Sequence, residues 1–205
     1  MDGKGRRGAA LGLLCAANFM VILDSQIVLL ALPSIDRDLR FAGGGAQWVL
    51  SAYLLGFGGL LLLGGRVADL AGRRRTFLGG TVLFLASSLL CGLAWTGGAL
   101  VAARVAQGVS AALMAPSALS IVTAAFPDGP ERNRAIAVWG SVGGFGATTA
   151  LLVGGPLTDV LGWRAIFFLN VPAALVLLVL GPVVLRESRG GARAYDPVGA
   201  LTVTL

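Results

Sequence analysis

The sequence predicts an all-α membrane protein built on six transmembrane helices, and three observations predict it. Only 13% of the 205 residues are charged and 56% are hydrophobic, with a mean hydropathy of +0.84; a soluble domain carries about 25% charged residues. Uncharged runs recur at 41–65, 76–103, 105–127, 135–158 and 165–185, and one at 8–35 is broken only by Asp24. A membrane helix needs about 20 mostly apolar residues. The runs are continuous rather than alternating, which argues against a β-barrel, and the charges gather in short clusters between them.

The spans follow in order. The basic start MDGKGRR leads into an apolar stretch, as in a signal peptide. That stretch outlasts the usual h-region and contains Asp24, so it reads as an uncleaved first helix, 9–33, closed by Pro33. The second helix is expected at 46–66 and the third at 76–96. Thr96-Gly97-Gly98 separates the third from the fourth, 99–125, which carries the single charge Arg104. Pro127-Asp128-Gly129-Pro130 ends the fourth; the fifth is expected at 134–158 and the sixth at 164–185. The chain thus divides into an N-terminal segment 1–8, a bundle 9–185, a linker 186–195 and DPVGALTVTL at 196–205. Those last ten residues read as the first half of a seventh helix, about 15 Å long at 1.5 Å per residue. The expectation is the N-terminal part of a longer chain.

Lysine and arginine in the loops set orientation. Lys4, Arg6, Arg7, Arg66, Arg73, Arg74, Arg75, Arg132, Arg134, Arg186, Arg189 and Arg193 fall on one side, and Arg37, Arg40 and Arg164 on the other. Twelve against three places the N-terminus and the linker in the cytoplasm, in a multi-pass protein of the inner (plasma) membrane. Fifteen arginines to one lysine hint at a GC-rich bacterial coding bias. The net charge of +6 sits in these turns rather than on a solvated face, so nucleic acid is not an expected partner.

Several chemistries lack their residues. No histidine is present, which removes His-based triads and most zinc sites. Cys15 and Cys91 form no CxxC pair and read as buried apolar residues. No Gly-Lys-Ser or Gly-Lys-Thr occurs, so no phosphate-binding loop of the Walker type is expected. No catalytic group, cofactor or metal is expected; the partners are the lipid bilayer, a small-molecule substrate and protons.

The segment GGRVADLAGRRRTFLGG, 64–80, is more than a topogenic turn, which would need only arginines. Gly65-x-Val67-Ala68-Asp69-x-x-Gly72-Arg73-Arg74 resembles the major facilitator superfamily signature between helices two and three. Leu23-Asp24-Ser25-Gln26-Ile27-Val28 through Ala31-Leu32-Pro33 is similar to the helix-one motif of its fourteen-helix drug:proton antiporter branch. Gln47-Trp48-Val49-Leu50-Ser51-Ala52-Tyr53 looks like that branch's second helix. Arg104-x-x-Gln107-Gly108 matches the helix-four motif, and Gly162-Trp163-Arg164 through Asn170-Val171-Pro172 resembles the entry to helix six. Gln26 and Leu29 stand where the branch has Thr and Asn, and Ala150-Leu151 stands where its fifth helix has Gly-Pro.

The resemblance implies the six-helix N-terminal half of a major facilitator, a three-plus-three arrangement whose missing C-terminal half is a required partner. It implies proton-coupled export of a small amphipathic or cationic compound by alternating access. Efflux of an endogenous metabolite remains a second reading. A third is a non-transporting half that binds a partner or lipid.

Asp24 and Arg104 are the two charges deep in the spans, and ionisable groups there are functional by default. Asp24 lies about 14 Å from the expected end of its helix and Arg104 about 8 Å deep, an offset that an arginine side chain can bridge. Burial favours the neutral form of a carboxyl and a guanidinium the charged one, so the pair is the candidate for proton coupling. The alternative is a static pair that orients two helices. Asp69, with Gly65, Gly72, Arg73 and Arg74, is the candidate gating latch; the resemblance makes its partner a helix N-terminus in the second half. Gly65 and Gly72 are expected to permit close approach and a sharp turn. Gln26, Tyr53, Gln107, Trp139 and Asn170 are candidates for cavity lining, and Gly140, Gly143, Gly144 and Gly146 for helix packing.

Overall fold

The computed structural model describes residues 3–188, and every regular element within them is helical. The helices are α1 (Gly3–Leu39), α2 (Trp48–Ala71), α3 (Arg73–Gly92), α4 (Gly97–Ala125), α5 (Pro130–Leu161), α6 (Arg164–Phe168) and α7 (Asn170–Val184), with a 3-10 turn at Gly45–Gln47 before α2. Among the described residues, six segments are long and apolar enough to cross a membrane, with α6 and α7 together forming the sixth. The expected start of a seventh helix at 196–205, and most of the linker 186–195, lie outside the described residues.

The spans sit where the apolar runs put them, but their ends differ. Pro33 does not close α1, which runs on to Leu39. Proline costs a helix one N–H and perturbs the preceding turn; tertiary contacts outweigh that here. Ile35 is fully buried, and Asp38 accepts hydrogen bonds from Trp163 and Arg164 at the head of α6. The chain finally turns at Arg40, Gly43 and Gly44, all with positive φ. The charged turn between the second and third spans shrinks to one residue. Gly72, at φ 109°, joins α2 directly to α3, so Asp69 and Arg73 are helix-end residues. α5 starts at Pro130 rather than 134, because the first helical position is where proline's missing N–H costs nothing.

α4 lies between α2 and α3, α1 packs along α5, and α7 packs on α3 and α1. Two apolar clusters form, one around Leu14, Phe77, Phe84 and Met114, the other around Ile27, Ile35, Val49 and Leu100. Small residues set the tightest contact. A Cβ at Gly64 would overlap the Ala112 carbonyl, and one at Gly108 would overlap the Tyr53 carbonyl. The α2 and α4 backbones therefore touch, as small residues allow between membrane helices. The close approach expected at Gly65 falls instead on Gly64; a Cβ at Gly65 would meet only Pro116, at 3.6 Å.

The packing face of α5 also differs from expectation. Gly143, Gly146 and Gly154 press on Ile22, Phe19 and Leu30 of α1, while Gly140 and Gly144 face open space. The helical period explains the split: 143, 146, 150 and 154 share one stripe, and 140 and 144 fall off it.

Gly108→Ala should lower unfolding stability in detergent by about 1–3 kcal/mol through overpacking. Gly144→Ala should stay within about 0.5 kcal/mol of the parent.

Candidate functional site

The two charges in the apolar interior meet. Arg104 Nη1 lies 2.7 Å from Asp24 Oδ2, and both side chains are fully buried. Water cannot solvate them, so each needs protein partners, and six elements supply them. Asp24 Oδ1 accepts from Gln107 Nε2 at 3.0 Å and from Asn170 Nδ2 at 2.7 Å. Arg104 donates through Nη1 to Gln107 Oε1 at 2.8 Å and through Nε to the Val49 carbonyl at 3.1 Å. Its guanidinium carbon stands 4.3 Å from the Tyr53 ring centroid and 5.9 Å from that of Phe167, which adds cation–π attraction. Ser88 Oγ accepts from Gln107 Nε2 at 2.9 Å, and Cys91 Sγ reaches Gln107 Oε1 at 3.5 Å. Arg104 Nη2 alone in this group is buried without a partner.

Helical spacing builds part of this. Arg104 and Gln107 are three residues apart on α4 and share a face, so one helix presents both a cation and an amide to α1. Asn170 opens α7, at the junction where the sixth span changes from α6. α5 contributes no side chain to the cluster.

The expected cavity residues divide. Tyr53, Gln107 and Asn170 are buried in the cluster. Gln26 is exposed, and Trp139 is half-buried, its indole N–H unpartnered and its carbonyl accepting from Asn18 at 2.9 Å. Ser88 and the Val49 carbonyl were not singled out from the sequence. Nothing distinguishes Ser88 among the apolar-run serines, and a carbonyl's role is invisible in a residue type. Cys91, read as merely apolar, has a polar contact, and Cys15 is only partly buried.

A second charged group lies at the end of the bundle that holds the N-terminus. Arg73 Nη2 pairs with Asp69 Oδ1 at 3.2 Å, one helical turn away, and Arg73 Nη1 reaches the Ser120 carbonyl. Asp69 is 41% exposed. Arg74 reaches the carbonyls of Pro182 and Leu185 at the end of α7. Glu187, missed in the sequence, accepts from the backbone N–H groups of Arg74 and Arg75 at 3.1 and 3.2 Å. It caps the otherwise unpaired amides at the start of α3. A Cβ at Gly72 would come within 2.7 Å of that carboxylate, so Gly72 supplies both the turn and the space. The signal in the sequence was an acid among the arginines after the sixth span.

Six spans folded around one sealed ion pair define a polytopic membrane protein with an ionisable centre, the class to which gradient-driven transporters belong. The chain belongs to the Major Facilitator Superfamily, whose family model matches residues 14–203. It is 44% identical over 186 residues to the uncharacterized MFS-type transporter EfpA of Mycobacterium tuberculosis, covering 91% of this chain and 35% of that protein. It is 42% identical to the cephamycin export protein CmcT of Amycolatopsis lactamdurans (95% and 41% covered). It is 47% identical to the puromycin resistance protein pur8 of Streptomyces alboniger (91% and 37%). The chain spans 35–41% of these relatives' lengths. Among solved structures, it superposes on an inward-facing, occupied bacterial homolog of the lysosomal transporter Spinster. The TM-score is 0.78 at 20% identity, covering 90% of this chain and 45% of that one. The fold is the six-helix N-terminal half of this superfamily.

Asp24→Asn leaves the Arg104 charge buried without its counter-ion and should cost about 3–5 kcal/mol of stability in detergent, with part recovered in Asp24→Asn/Arg104→Gln. Glu187→Ala should cost about 1 kcal/mol and raise hydrogen exchange in the first turn of α3.

Proposed function

We propose that this chain is the N-terminal half of a proton-coupled exporter of small amphipathic or cationic compounds, working by alternating access with a C-terminal half. The observation that carries the reading is the fully buried Asp24 carboxylate, held by Arg104, Gln107 and Asn170. A proton on Asp24 removes the charge that Arg104 Nη1 answers. Arg104 keeps the Gln107 amide oxygen and the Val49 carbonyl, so its charge stays partly solvated while α1 is released from α4. Losing the proton restores the pair and draws the helices together. Because the pair is sealed, proton exchange is tied to movement of the helices, which is what coupling requires. Similarity to a cephamycin export protein and a puromycin resistance protein supports export.

The charge asymmetry of the loops supports a cytoplasmic N-terminus in the inner membrane, a bundle over 9–185 and a cytoplasmic linker from 186. Asp69 uses only Oδ1 toward Arg73 and is half exposed. That supports its role as a latch offering Oδ2 to a helix N-terminus of the second half. Gln26 is exposed two residues beyond Asp24, which supports its amide as a contact for substrate.

The test is export by the full-length transporter in vesicles with an imposed pH gradient. Asp24→Asn should abolish acceleration by the gradient, while substrate binding, read by tryptophan fluorescence, stays within about tenfold. Gradient-driven export by Asp24→Asn at the parent rate would refute proton coupling through this residue.

A further inference from the structure

Where the N-terminus meets the ends of α4 and α7, the bundle encloses an open cavity of about 400 Å³. Its floor is apolar, from the buried Ala10 of α1, Ile121 of α4 and Leu185 after α7; its rim carries Arg6, Arg7 and Arg186. Arg6 is committed, because its Nε and Nη2 donate to the carbonyls of Val184 and Val183 at 3.3 and 3.1 Å. That bond closes the C-terminal end of α7. Arg7 and Arg186 are exposed and have no partner among the described residues. The one acid on the rim, Glu187, is engaged by the first turn of α3. Among the described residues, the cavity therefore presents two guanidiniums without a partner, a third held by the α7 carbonyls, and an apolar floor, and its one acid is already engaged.

We propose that this cavity binds the headgroup of an anionic phospholipid, with its phosphate between Arg7 and Arg186. Three features favour that occupant. The guanidinium fork matches phosphate oxygens. The apolar floor suits the first methylenes of a lipid's acyl chains rather than a free hydrated anion. Basic pockets between membrane helices lie at the level of cytoplasmic headgroups. The placement rests on the topology proposed above. The consequence is a clamp: a lipid here bridges the start of α1 and the exit from α7, the two ends that Arg6 already joins.

The test is native mass spectrometry of the chain purified in detergent and titrated with phosphatidylglycerol or phosphatidylcholine, with inorganic phosphate as competitor. The expected result is preferential retention of phosphatidylglycerol. It should fall about fivefold for each of Arg7→Ala and Arg186→Ala and be kept by Arg7→Lys in part. Arg40→Ala, at the opposite end of the bundle, should leave it unchanged. Equal retention of both lipids overturns the proposal, as does an equal loss in Arg40→Ala. Complete displacement by inorganic phosphate also overturns it, by marking a soluble-anion site. Ser188→Cys, labelled in intact cells by an impermeant thiol reagent, would refute the topology while leaving the binding result standing.

Discussion

A charge in an apolar interior is the constraint on which the rest of this structure depends. Removing a carboxylate and a guanidinium from water costs several kcal/mol each, and their attraction offsets it only when remaining donors and acceptors are also satisfied. Asp24 and Arg104 meet that condition by drawing on α1, α2, α3, α4, α6 and α7 at once. Such a cluster fixes register. A slide of one helix past another by a single residue would strip a partner from one of the charges. Lipid offers no hydrophobic drive to pair helices, so a polar network and close small-residue contacts must do so.

The remaining packing is arranged around that centre. Gly64 and Gly108 bring α2 onto α4, which puts the Val49 carbonyl and the Tyr53 ring within reach of Arg104. α5 stands apart: it packs on α1 through Gly143, Gly146 and Gly154 and gives the cluster nothing. Its span is only 11% buried, and α2's is 28% buried. These are the two spans with the least support inside the bundle. A bundle with one helix outside the polar network can move that helix without unpairing a charge.

The two ends are held differently from the middle. At one, Asp38 receives Trp163 and Arg164, and Arg164 also reaches the Ala94 carbonyl. At the other, Arg6, Arg73, Arg74 and Glu187 join helix ends through backbone groups. These contacts are partly exposed and individually weak. The sealed pair resists opening; the end contacts are the ones water can compete for. That ordering places the water-accessible contacts at the ends and the sealed network at the centre.

The sequence by itself determined the six spans of the described residues, their order, and the two charges that had to find each other. Hydropathy is a property of each segment alone, and an isolated ion in oil has no stable alternative to a partner. The motifs added the family. Tertiary structure decided where helices stop and which glycines matter. Pro33 is a local breaker overruled by the burial of Ile35 and the Asp38 contacts, and the charged turn expected at 67–75 collapsed onto Gly72. Gly140 and Gly143 look alike as letters, but only one faces α1. Ser88 and the Val49 carbonyl were illegible for the same reason: their roles come from helices brought together across the bundle, and no local pattern records which partner a polar group will meet.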